Sequence, residues 1–138
     1  MAGMVVTPLY AALLVLCYLV LTGRVLQNRA RFKVSLGDGD NPELRLAMRG
    51  HANFAEYVPL ALLLLLILEL SRFSIYVTHL IGATLLLARV LHGAGFAFGR
   101  EWGFGRAAGA ALTFLVLFVE AILCLYQAYR GHLVWFAT

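Results

Sequence analysis

Charge is scarce in this chain, and that scarcity excludes a whole class of folds. Only 13% of the 138 residues are Asp, Glu, Lys or Arg, while 62% are hydrophobic. An average soluble domain carries about 25% charged residues, so an ordinary water-soluble fold is excluded. Cysteine is nearly absent. Cys17 and Cys124 each lie in an apolar run, too few and too far apart for a disulfide framework, and they read as small packing residues. Neither CxxC nor HExxH occurs, so no metal site is expected. Internal repeats and low-complexity tracts are missing too. No basic segment precedes the first apolar run, and basic residues follow it instead. The first span therefore reads as a retained helix, not a cleaved signal peptide.

Long apolar runs take the place of what is lacking. A bilayer-spanning helix needs about 20 mostly apolar residues, and four stretches qualify. Val5 to Gly23 carries no charge, and Leu46 to Leu68 carries Arg49 and Glu56. Phe73 to Gly99 carries Arg89, and Ala107 to Tyr129 carries Glu120. Little chain is left over, so residues 1–138 read as one transmembrane domain. The fold expected is all-α, an up-down bundle of four transmembrane helices near 5–27, 42–70, 74–98 and 106–129.

Local signals sharpen these bounds. Pro8 suits the first turn of helix one. The run GDGDNP, residues 37–42, holds turn signals. Asn41 is a good N-cap, Pro42 a good first helical residue, and Glu43 suits the first turn. Helix two so defined is longer than a ~30 Å hydrocarbon layer requires, so its polar end should project. Pro59 should kink it. Trp102 and Trp135 fall at span ends, as interfacial tryptophans do. Gly93, Gly95, Gly105 and Gly109 favour close helix contacts.

The few charges are distributed unevenly. With four spans, Arg24, Arg29, Arg31, Lys33, Arg45, Arg49, Arg100 and Arg106 fall at one side of the membrane. Arg72 and Arg130 fall at the other. By the positive-inside rule, the first and third loops face the cytoplasm and the termini face away. Basic loops also suit anionic lipid head groups. The net charge of +4 gives no reason to expect a nucleic-acid partner.

The polar residues inside the spans are the candidate site, because a charge within a membrane is expensive and is by default functional. Arg49, Asn53 and Glu56 share one face of helix two through their i, i+4, i+7 spacing. Two readings stand for them. They form a structural ladder, with Arg49 paired to Glu56 or to another helix, or they bind a zwitterionic ligand. In the second reading Arg would hold a carboxylate, Glu an ammonium group, and Asn an amide. His51 points away from this face, toward another helix or a subunit neighbour.

Arg89 and His92 are near neighbours on helix three, with Phe96 on the same face. Arg89 either pairs with Glu56 or Glu120 or contacts a ligand. Arg106 opens helix four, either as an interfacial arginine or as the partner of a thiolate. Glu120, near mid-span, should face the bundle interior, and His79 reads as structural. A bundle this small cannot easily hide all of these groups alone, so self-association is expected.

Four short helices, RGHANFAEYVPL in helix two and RVLH in helix three resemble the MAPEG proteins, the membrane-associated proteins of eicosanoid and glutathione metabolism. RAAG at helix four adds support. The resemblance covers nearly the whole chain. It implies a homotrimer, in a bacterial inner membrane for a chain this short, with active sites between subunits that open toward the cytoplasm. It also implies glutathione as cosubstrate, membrane lipid around the protein and a lipophilic small molecule as second substrate. On that resemblance Arg49, Asn53, Glu56 and Tyr57 match glutathione-binding positions, Arg89 and His92 match polar positions of helix three, and Arg106 matches the arginine that stabilises the thiolate. Arg31 would assist from the end of helix one.

The sequence departs from relatives at His51, which is Gln in some, at Phe96, where several have tyrosine, and at Ala107, where one has serine. The activity implied is glutathione transferase or peroxidase chemistry on a hydrophobic electrophile. Alternatives are a non-catalytic lipid-binding protein on the same scaffold and a small transporter.

Overall fold

A computed structural model describes residues 4–97 and 103–135. Four helices follow one another: α1 Val6–Phe32, α2 Pro42–Leu70, α3 Ile75–Ala97 and α4 Gly103–Trp135. All four are long and apolar enough to cross a membrane, and they form an all-α up-down bundle with no strand among the described residues. Helices α2 and α3 pack against each other and against both remaining helices, whereas α1 and α4 lie on opposite flanks without close contact among the described residues. Leu14 and Leu21 of α1, Phe54, Val58, Ala61 and Leu65 of α2, Ile81 and Leu85 of α3 and Val116 of α4 make the core.

The start of α2 follows its local signals. Asn41 Oδ1 accepts the N–H groups of Glu43 and Leu44, each at 3.0 Å, and Pro42 opens the helix. The helix then runs through Pro59 to Leu70 without interruption.

Helix α1 lacks a side-chain cap from its own N-terminal residue. Glu69, near the end of α2, supplies one. Its Oε1 accepts from Val5 N at 2.6 Å and Val6 N at 2.8 Å, and its Oε2 from Thr7 N at 2.7 Å. These are the orphan donors of a helix start, and a carboxylate there also meets the positive end of the helix dipole.

Two helices are longer than the sequence suggests. Helix α1 continues past residue 27 to Phe32 and stops where Lys33 turns left-handed at φ 55°. Arg29 and Arg31 lie in its last turn, where cations favour the exposed carbonyls. Arg29 also fastens the following loop by donating to the carbonyls of Ser35 at 3.3 Å and Gly37 at 3.1 Å. Helix α4 begins at Gly103, before Arg106, and reaches Trp135, beyond Tyr129. Phe98, Gly99, Arg100 and Trp102 lie outside the described residues, as does the side chain of Trp135.

Candidate functional site

The site sits where α2, α3 and α4 approach one another in the half of the bundle that carries the 33–41 loop. Its closest approach is between α3 and α4. A Cβ on Gly109 would fall 2.5 Å from the Ala88 carbonyl oxygen and 2.6 Å from His92 Cβ, so only glycine permits this spacing. Thr113 follows one turn later on the same face of α4.

Arg89 occupies the centre of this region with 2% of its surface exposed. It does not pair with Glu56 or Glu120. Its Nη1 donates to Asn53 Oδ1 of α2 at 3.0 Å, and its Nη2 donates to the hydroxyl of Thr113 on α4. Thr113 in turn donates to the Gly109 carbonyl at 2.8 Å. Asn53, Arg89 and Thr113 therefore form one hydrogen-bonded chain across three helices. A buried guanidinium needs such partners, since an unpaired charge in the interior is strongly destabilising.

Toward the loops, His92 Nδ1 donates to the Arg106 carbonyl at 2.9 Å. This bond fixes the first turn of α4 against α3 and leaves Nε2 buried, without a partner among the described residues. Arg106 Nη1 reaches back to the Gly95 carbonyl at 3.2 Å, and its guanidinium lies 5.6 Å from the Phe96 ring centre. That ring also meets His92 edge-on at 5.0 Å. It also covers Gly50 of α2, where an added Cβ would lie 2.9 Å from Phe96 Cγ. Phe96 thus bridges Gly50, the chain neighbour of Arg49, and Arg106.

The stripe itself is divided. Asn53 is half-buried and turned to α3, while Arg49 and Glu56 are exposed. Neither of these two makes a hydrogen bond or ion pair among the described residues, so the intrahelical Arg49–Glu56 ladder is not formed. Tyr57 meets Phe114 of α4 edge-on at 5.4 Å.

Other candidates are engaged elsewhere. His51 stacks on Tyr18 of α1 at 4.5 Å, away from the stripe as its spacing requires. Arg31 pairs with Glu43 at 3.2 Å on the surface. His79 Nδ1 lies 3.3 Å from the Tyr10 hydroxyl near the opposite end. Glu120 is fully buried, with both carboxyl oxygens unpartnered among the described residues. Gly109 makes the close helix contact expected of it, whereas the contribution of Thr113 is the one that sequence spacing leaves unannounced.

Residues 7–126 match the MAPEG family. The chain belongs to that family. It is 36% identical over 91 residues to the inner membrane protein YecN of Escherichia coli K12, covering 66% of this chain and 70% of that relative. The protein of the same name from an Escherichia coli O6:H1 strain matches equally. This MAPEG chain is accordingly a multi-pass membrane protein of the family of glutathione and eicosanoid metabolism.

Proposed function

We propose that this MAPEG chain is a glutathione-dependent enzyme acting as a transferase or peroxidase on hydrophobic electrophiles. The observation that carries the reading is the convergence on Phe96, whose ring packs on Gly50 beside Arg49 and also carries the Arg106 guanidinium. Arg49 and Glu56 are exposed and uncommitted charges of opposite sign, suited to the carboxylate and ammonium ends of glutathione. Asn53 and Tyr57 lie beside them. Arg106, together with the N-terminal end of α4, would favour the thiolate over the thiol.

The thiolate sulfur then forms a bond to an electrophilic carbon, and the displaced electron pair leaves with the departing group. With a peroxide, the sulfur bonds to one oxygen as the O–O bond breaks, and the other oxygen leaves as an alkoxide that takes up a proton. A second glutathione then converts the resulting sulfenic acid to the disulfide with release of water. The protein contributes thiol activation and orientation.

The exposure of Arg49 and Glu56 supports a homotrimer in which a neighbouring subunit closes the site. Charge asymmetry supports cytoplasmic first and third loops, and the likeness to an inner membrane protein supports that membrane.

Glutathione binding and thiolate absorbance, measured on the protein in detergent, test the proposal. Saturable binding with a thiolate signal that disappears in Arg106→Ala is expected. Absence of saturable binding would sink it, and an unchanged thiolate signal in the variant would remove Arg106 from its role.

A second reading, lipid binding without catalysis, is favoured by one observation. The Arg106 guanidinium is already engaged by the Gly95 carbonyl. Saturable lipid binding with no glutathione binding would select it.

A further inference from the structure

A cleft of about 250 Å³ opens between α1 and α3 and shares only Arg89 with the site described above. Cys17, Val20 and Arg24 line it from α1, and Arg89, Val90 and Gly93 from α3. Apart from the two arginines its walls are apolar. It lies below the usual range of about 300–1,000 Å³ for pockets that hold drug-sized ligands. Its shape is elongated: Cys17 to Arg24 spans seven residues of helix, or about 10 Å. A narrow apolar slot of this length suits a single hydrocarbon chain.

The two arginines differ. Arg89 is committed inward to Asn53 and Thr113. Arg24 is part-exposed and makes no hydrogen bond or ion pair among the described residues. It is therefore the cation that the cleft offers to an occupant.

Its depth decides what that occupant is. Arg24 lies eighteen residues after Val6, where α1 begins. That is about 27 Å at 1.5 Å per residue, close to the ~30 Å hydrocarbon thickness. With the capped start of α1 at one boundary, Arg24 stands at the other, on the side of the basic 33–41 loop. The apolar slot runs from it toward the membrane centre. A phospholipid presents the same arrangement, with its head at the boundary and its chains pointing inward.

We propose that this cleft is a binding site for an anionic phospholipid. One acyl chain lies along Val20, Val90 and Gly93, and Arg24 pairs with a phosphodiester whose charge no ammonium group of the same head offsets, as the choline does in phosphatidylcholine. The wall at Gly93 has room beside it, since a Cβ there would meet only Leu21 Cδ2, at an ordinary 3.6 Å. The site does not depend on glutathione.

Cys17 at the inner end of the cleft serves as a built-in reporter. The test uses the full chain carrying Cys124→Ala, reconstituted in nanodiscs of phosphatidylglycerol or of phosphatidylcholine. The rate of Cys17 alkylation by a membrane-soluble maleimide is measured in each. Phosphatidylglycerol should slow the reaction about five-fold relative to phosphatidylcholine, the factor that one basic residue supplies at an anionic surface. Arg24→Gln should abolish the difference, and Arg24→Lys should keep it. Gly93→Leu, which fills the slot, should slow the reaction equally in both lipids.

Equal rates in the two lipids for the Arg24 chain would overturn the proposal, as would a difference that survives in Arg24→Gln. Cys17 unreactive in both lipids would overturn it in favour of a second copy seated on the cleft. Because a failed fold would blur the Arg24→Gln result, lipid retained by each variant is also read by native mass spectrometry. Selective retention of phosphatidylglycerol by the Arg24 chain and by Arg24→Lys supports the site, and unselective retention refutes it.

Discussion

Arg89 Nη1 lies 3.0 Å from Asn53 Oδ1, and this bond ties α3 to α2 inside the apolar layer. It makes Asn53 serve two ends, as a neighbour of the proposed ligand and as a partner of a buried cation. Replacing Asn53 by Leu leaves a charged donor without its acceptor, which should cost about 2 kcal/mol or more. The triple variant Asn53→Leu/Arg89→Met/Thr113→Val removes the polar atoms together and should recover most of that loss. Unfolding in mixed detergent micelles measures both, and equal losses for single and triple variants would contradict the network.

The contact of Gly109 with Ala88 and His92 involves backbone atoms that cannot swing aside, so it should not tolerate a larger residue. Gly109→Val forces α4 away from α3 and should destabilise by about 1–3 kcal/mol or more. It should also displace Arg106, so glutathione binding is expected to fall with it. Gly93→Ala, facing the cleft, is the control and should be nearly neutral in the same thermal melts.

Glu69 accepts three backbone N–H groups from the start of α1. Glu69→Gln keeps the shape but removes the charge, and should cost about 1–2 kcal/mol. Hydrogen exchange at Val5, Val6 and Thr7 should accelerate in this variant, while exchange in α4 should not change.

Glu120 is the reverse case, a buried polar group with nothing to bind among the described residues. Glu120→Leu should therefore raise stability by about 1–3 kcal/mol. A loss of stability instead would reveal a partner for the carboxyl group.

Asp38, in the 33–41 loop, bonds to Arg45, and that hydrogen bond holds its carboxyl below its ordinary value. A carboxyl whose folded pKa is depressed stabilises the fold above its unfolded pKa of about 3.9. The contribution disappears as pH falls through the lower, folded value. An NMR titration of Asp38 should show the depressed midpoint, and Arg45→Gln should return it toward the ordinary value.

What was legible in the sequence is what is local or compositional. Asn41, Pro42 and Glu43 define the start of α2 within four residues, so it is found to the residue. The four spans follow from hydropathy alone. The end of α1 was less legible because Arg29 and Arg31 resemble loop residues, yet both suit the last turn of a helix. Glu69 also stands as an acid in an apolar run, but its partners lie 62 to 64 residues earlier. Periodicity cannot supply a relationship of that range. The same holds for Arg89: Asn53 belonged to the visible stripe, whereas Thr113 on another helix is named only once α3 and α4 are packed. Spacing placed Arg49, Asn53 and Glu56 on one face, and packing then turned Asn53 inward and left the other two outside.

The separation of α1 from α4 bears on the order in which the bundle is put together. Each flank docks on the α2–α3 pair without touching the other among the described residues, so neither has to wait for the other. As the chain leaves the ribosome, α1, α2 and α3 can assemble before α4 exists, and α4 then closes the polar region last. Energetically the two flanks act as independent modules: substitutions at Tyr10 and at Gly109 should add in their effects on stability, as distant sites without a shared partner do.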